Sequence, residues 1–198
     1  MGLFRPLART LIGLLFIGHG TQKLLGWFGG GGPDGTGQFF EQIGLRPGRK
    51  YALSAGAAEA GGGLLFALGA ATPLAAAALS GSMITAIRTV HWEKGIWSTH
   101  GGYEYNLVLL AAVFGLTENG PGTWSVDAAF GKSRWGTGWA LAGLAAGAAG
   151  SAAMLAAARH EPAEEEKPAA AKPLSTPEIP AEPISAEGDE TPMVAAVQ

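Results

Sequence analysis

Between Trp135 and Ala158 the chain runs for 24 residues without a charge, closed by Arg134 on one side and Arg159 on the other. A helix rising 1.5 Å per residue needs about 20 largely apolar residues to cross roughly 30 Å of hydrocarbon. This segment meets that test, and Trp135 and Trp139 stand where an interfacial aromatic belt would lie. A buried helix of a soluble protein is the competing reading. It fits poorly with a chain in which only 15% of residues are charged, against the quarter or so usual in soluble domains.

The rest of the chain repeats the pattern. Tyr51 to Ile87 contains one charge, Glu59, in 37 residues, too long for one span and suited to two. Thr72-Pro73 supplies the break, because proline removes a donor and pushes its neighbour out of the α region. The expectation is an antiparallel pair over about 51–70 and 74–91. A first span over about 6–28 needs Arg9 and Lys23 to snorkel, with Pro6 in the first turn and Trp27 and Phe28 as anchors. Gly18-His19-Gly20-Thr21-Gln22-Lys23 sets bulky polar residues where a cleavage site would follow the apolar run, so this span reads as uncleaved. A short fourth span covers about 103–118, stopped by Asn119-Gly120-Pro121-Gly122.

The fold class expected is therefore all-α: an integral membrane bundle with a four-helix core (1–135), an added transmembrane helix (136–158) and a tail (159–198). The connections read as a loop at 29–50, a turn near 72, a polar loop at 92–102 and an aromatic segment at 119–135. Close helix approach in lipid favours small residues, which points to Gly56 and Ala60, and to Gly143, Gly147 and Ser151 at four-residue steps. Residues 159–198 hold 9 of the 16 acids, 3 of the 13 bases and 7 of the 12 prolines. That composition predicts disorder. It also leaves a body of +3 beside a tail of −6, with no basic face for nucleic acid.

Several chemistries drop out. The chain has no cysteine, hence no thiolate metal site or cluster of its own. Gly131-Lys132-Ser133 lacks the earlier glycine of a phosphate loop, since Val126 stands there. The glycines at 29–32, 35 and 37 have no nucleotide-binding spacing. His91, Glu93, His100 and Glu104 match no helix-borne ligand pair, so no metal site is expected.

The ionisable residues in or beside the spans carry more information, because a charge facing lipid is costly and turns toward a partner or a wet cavity. Let side A hold the N-terminus and side B be the opposite face. His19 and Lys23 then lie near the B end of the first span, and Glu59 lies about 13 Å along the second from its B end. Arg88 and His91 end the third, and Glu104 opens the fourth from the same side. Six residues from four helices, His19, Lys23, Glu59, Arg88, His91 and Glu104, thus converge on one half of the bundle. Two readings stay open: neutralising pairs Lys23–Glu59 and Arg88–Glu104 that fix packing, or a pocket that binds or protonates a ligand. On side A, Asp127 is expected to clamp against Arg5 and Arg9.

Arg9, Gly13, Phe16, His19-Gly20 and Lys23-Leu24, then Glu59, Gly62-Gly63 and Leu65, then Met83, Ala86 and His91, then Gly101-Gly102 and Glu104, and finally Gly120, Gly122 and Ser125-Val126-Asp127 together resemble the DoxX family of small bacterial membrane proteins. The resemblance spans about residues 5–130. It implies a four-helix membrane core and a name inherited from a subunit of a thiosulfate:quinone oxidoreductase. Other members are linked to an oxidoreductase complex in oxidative-stress defence. The family has no settled catalytic residues, so Lys23, Glu59, His91, Glu104 and Asp127 carry over as motif positions alone. The fifth hydrophobic segment and the acidic tail depart from the family pattern.

Three functions compete. The first is a membrane subunit or anchor of a quinone-linked oxidoreductase complex in the bacterial plasma membrane; no cofactor is encoded, quinone is the one this reading needs, and a partner subunit must supply electrons. The second is a non-catalytic scaffold recruiting soluble partners. The third is a small proton-coupled transporter using Glu59. Bases near span ends number four on side A and five on side B, so the positive-inside rule does not orient the chain.

Overall fold

The computed structural model describes residues 3–160; the tail expected over 159–198 lies, but for its first two residues, outside the described residues. Among the described residues there are helices and turns and no strands. The long helices are α1 (Phe4–Leu25), α3 (Gly48–Leu68), α4 (Thr72–Ala86), α5 (Glu104–Asn119) and α7 (Thr137–His160), with short α2 (Gly32–Gln42) and α6 (Val126–Ala129) between them. Among the described residues, three helical stretches are long and apolar enough to cross a membrane: Gly48–Leu68, Thr72–Lys94 and Thr137–Arg159. The fold is that of a helical membrane protein.

The bundle is built inside out relative to a soluble one. Helix α1 buries Gly13 and Gly20 with Arg9 and Phe16, while Leu7, Leu11 and Leu14 are 65%, 61% and 56% exposed. A helix that turns glycines inward and leucines outward gains little by folding in water; in hydrocarbon the leucines are already solvated and close backbone packing holds the helices together. A Cβ on Gly13 would lie 2.5 Å from the Gly63 carbonyl oxygen, and one on Gly20 would lie 2.5 Å from the Ala60 nitrogen and 2.7 Å from the Gly56 oxygen. Helices α1 and α3 therefore meet backbone to backbone. Helix α7 meets α4 the same way: a Cβ on Gly147 would lie 2.6 Å from the Ala77 oxygen, and Ser151 shares a 2.8 Å hydrogen bond with Thr85. Exposed aromatic residues gather at the two ends, Trp27, Phe28, Trp92 and Trp97 on side B and Phe4, Trp124 and Phe130 on side A.

The core is Phe16, Phe66, Leu79, Met83, Leu109 and Val113 with Ala75 and Ala76. Helix α3, which carries Phe66, ends at Leu68, and Gly69, with a φ of 61°, makes the turn into α4.

Two expected connections are corrected. The segment 29–50 contains α2, placed at the B end against α1 and α3. Pro33 sits in its first turn, where a missing N–H costs nothing, and Asp34 faces the positive helix end. Gly37 and Gly48 allow the contact with α3, since a Cβ on Gly48 would collide with the Gly37 carbonyl. Arg49 adds a 2.9 Å ion pair to Asp34. The aromatic segment 119–135 likewise holds α6, whose Ser125 hydroxyl accepts from the Ala128 N–H.

Candidate functional site

An open, elongated cavity of about 770 Å³ runs along the bundle, lined by residues of α1, α3, α4, α5 and α7, with its polar groups in the B half. His19, Lys23, Glu59 and His91 line its polar end. Lys23 and Glu59 form an ion pair at 2.6 Å, with side chains 22% and 7% exposed. The ammonium also donates to the His19 carbonyl oxygen at 3.3 Å. With three donors and two partners, it keeps one N–H for a ligand. Glu59 reaches this point because Gly56 and Ala60, flanking it on α3, let α1 lie close enough for Lys23 to meet it.

The imidazoles are held in defined roles. The His91 Nδ1 lies 2.6 Å from the Gly101 carbonyl oxygen; a carbonyl only accepts, so Nδ1 carries the proton and Nε2 is the nitrogen left for a ligand. The contact depends on a backbone irregularity, for α4 passes into a π turn at Ile87–His91 before the 3₁₀ turn Trp92–Lys94. Such turns widen the helix by one residue and re-aim side chains. In the same way His19 Nδ1 lies 3.2 Å from the Gln22 side-chain oxygen. Buried Asn106 of α5 donates to the Met83 sulfur at 3.4 Å, on the cavity wall.

Two of the six converging residues do not join this site. Arg88 is exposed on the π turn, and Glu104 accepts from the Ser98 hydroxyl. The expected Arg88–Glu104 pair is not formed, because the π turn re-phases the end of α4 and sends Arg88 outward. Among the described residues no group of three or more His, Asp or Glu side chains is placed to hold a metal ion.

The side A clamp is built differently from expectation. Asp127 pairs with neither arginine. Its carboxylate accepts from the N–H groups of Ala71 (2.7 Å) and Thr72 (3.0 Å), the Thr72 hydroxyl (2.7 Å) and the Trp135 indole (2.9 Å). It thereby satisfies donors at the α4 N-terminus that have no partner within their own helix. Burial alone would raise this carboxyl; the bonds from Thr72, Trp135 and Ala71 outweigh it and hold the group below its ordinary value. Arg9, 4% exposed, donates instead to the Trp124 carbonyl oxygen at 2.9 Å, and Arg5 to that of Asn119 at 3.2 Å.

Asn106, Tyr105 and Ser98 on the cavity wall, and Trp135 and Thr72 around Asp127, escaped the sequence reading. Asn106 alone had a signal, as an amide at the head of the apolar run 107–116.

No curated protein and no solved structure matches the chain. The DoxX family model matches residues 5–92, which takes in α1, α2, α3 and α4 as far as the π turn. Four of the residues that line the cavity's polar end, His19, Lys23, Glu59 and His91, fall inside that stretch, and over it the chain is similar to the DoxX family of helical membrane proteins.

Proposed function

We propose that the protein is a membrane subunit or anchor of a quinone-linked oxidoreductase complex, working in the bacterial plasma membrane with all five long helices as spans. The observation that carries this reading is the cavity: largely apolar walls, with a charge-neutral Lys23–Glu59 pair and two imidazoles at one end. A quinone has a flat apolar ring and two carbonyl oxygens that need donors. The uncommitted N–H of Lys23 suits one oxygen in any protonation state of the histidines. His91, with Nδ1 committed to Gly101, donates from Nε2 when protonated and accepts there when neutral.

A bound quinone supplies two-electron, two-proton redox chemistry. What the chain itself contributes is a largely apolar pocket, hydrogen bonds to the head and a place to hold a proton at His91 Nε2. Having no cysteine and no flavin or nicotinamide fingerprint, it depends on an oxidoreductase partner for the electrons. The test is purification of the full chain from its native membrane in mild detergent, with extraction of quinone and identification of copurifying proteins. The expected result is quinone in a fixed ratio to the chain together with a redox subunit. Recovery of neither would overturn the reading.

A further inference from the structure

The polar groups of the cavity differ in what they have left to offer a ligand. Ser82, Tyr105 and Asn106 line it, and hydroxyls and amides both donate and accept, so they do not tell a carbonyl from a hydroxyl. Lys23 only donates. The two imidazoles discriminate, because each has one nitrogen spent on the protein. His91 commits its Nδ1 hydrogen to the Gly101 carbonyl oxygen. At His19 the same assignment follows in two steps. The Gln22 side-chain nitrogen donates to the Phe28 carbonyl oxygen at 3.5 Å, which turns the Gln22 side-chain oxygen toward His19 Nδ1 at 3.2 Å. An amide oxygen only accepts, so the hydrogen of His19 also sits on Nδ1. Both rings, when neutral, therefore present a bare lone pair at Nε2. Glu59 adds a third acceptor, since it meets Lys23 through Oε2 and leaves Oε1 over. Among the described residues the fully buried side-chain nitrogens and oxygens without a partner belong to Arg9 alone, so the two Nε2 atoms stay reachable from the cavity that their rings line.

We infer that the site selects the reduced form of its ligand: a quinol, whose ring hydroxyls donate to His19 Nε2 and His91 Nε2, over the quinone, whose carbonyls have nothing to donate. The inference rests on the quinone reading above and adds the redox form that the chain prefers. The two acceptors come from different helices, His19 from α1 and His91 from the π turn that ends α4, which suits hydroxyls on opposite edges of one ring. Lys23 does not reverse the preference, since a hydroxyl oxygen accepts from an ammonium as a carbonyl oxygen does. A quinone instead leaves the imidazole lone pairs unpaired in a largely apolar pocket, and a buried acceptor without a donor is costly. Tighter holding of the reduced form raises the potential of the bound couple and makes the bound quinone a better acceptor of electrons from a partner subunit. Gln22 is a positioning residue here: it acts through His19 by fixing which nitrogen carries the hydrogen.

The test is binding to the full chain in detergent at about pH 8, where imidazole is ordinarily neutral. The probes are dimethylnaphthoquinone and its quinol, the latter kept reduced under anaerobic conditions, each expressed as its mole fraction in the micelle. The expected result is about twenty-fivefold tighter binding of the quinol, about fivefold from each histidine, which corresponds to a rise of about 40 mV in the potential of the bound couple. His19→Phe keeps a ring and removes its nitrogens, and should lower the ratio about fivefold by weakening the quinol alone. Gln22→Leu releases the His19 tautomer, so that Nε2 can carry the hydrogen, and this variant should bind the quinone more tightly than the wild type does. A residue needed only for the fold would weaken both forms. Equal affinities in the wild type, or tighter binding of the quinone, would overturn the preference and leave the quinone reading standing. An unchanged ratio in His19→Phe, or equal weakening of both forms in Gln22→Leu, would also overturn it. Failure of both forms to bind would sink both proposals.

Discussion

The Lys23–Glu59 pair gives the sharpest test of how this bundle is held together. At 2.6 Å and an effective dielectric constant of about 20, the direct attraction is roughly 6 kcal/mol, much of it offset by the desolvation of two ions. Removing one partner leaves the other's desolvation uncompensated. Lys23→Met strands a carboxylate that is 5% exposed and should cost about 3 kcal/mol. Glu59→Gln should cost about 2 kcal/mol, because Lys23 is the more exposed partner and keeps the His19 carbonyl and an amide oxygen nearby. Removing both together leaves no buried charge, so the double variant should cost less than the sum by about 1–3 kcal/mol. The assay is unfolding by sodium dodecyl sulfate in mixed micelles, followed by circular dichroism, for the wild type, the two single variants and the double. Strict additivity would refute the claim that the ions find each other because hydrocarbon surrounds them.

Other consequences follow from the same geometry. Asp127→Ala removes the acceptor of four hydrogen bonds at the start of α4 and should destabilise the fold by about 3 kcal/mol, read in the same titration. Because the Asp127 carboxyl is held below its ordinary value, its contribution is fully present above the unfolded value of about 3.9 and is lost as pH falls through the folded one. Wild-type unfolding should thus show an acid-dependent loss in that range that Asp127→Asn lacks. Gly20→Val should prevent α1 from seating on α3, where a Cβ already lies 2.5 Å from the Ala60 nitrogen; a normally folded, monodisperse product would contradict the backbone contact. Ser151→Ala, which deletes the hydrogen bond to Thr85, should cost only about 0.6–1.7 kcal/mol by the same unfolding titration.

The long helices were legible because hydrocarbon imposes a crude rule on sequence: length without charge. Thr72-Pro73 marked the α3–α4 turn for a local reason, and Glu59 identified its own need for a cation by the cost of burying it. What escaped the reading depends on contacts between distant segments. Helix α2 has a glycine-rich sequence of poor helical propensity and forms around the Gly37–Gly48 approach, which no periodicity records. Asp127 and Arg9 lie at the same end of the bundle, as topology required, yet orphan backbone donors at Ala71 and Thr72 hold the carboxylate more closely than an arginine does. Arg88 was placed by assuming an unbroken helix, and the π turn defeats that assumption. The elongated cavity was invisible because much of its wall is alanine and glycine, residues that elsewhere in this chain mark close packing.

Everything rests on where the bilayer lies, and a chain without cysteine allows that to be read one position at a time. Single cysteines are introduced by Glu93→Cys in the B-side loop, Lys132→Cys in the A-side loop, and Leu14→Cys and Ala111→Cys on the exposed faces of α1 and α5. Sealed vesicles of one orientation are then treated with a membrane-impermeant thiol reagent. The account predicts that one loop position reacts from outside, the other only after the vesicles are opened, and the two helix positions in neither case. Reaction of both loop positions from the same face, or of either helix position in intact membranes, would contradict it.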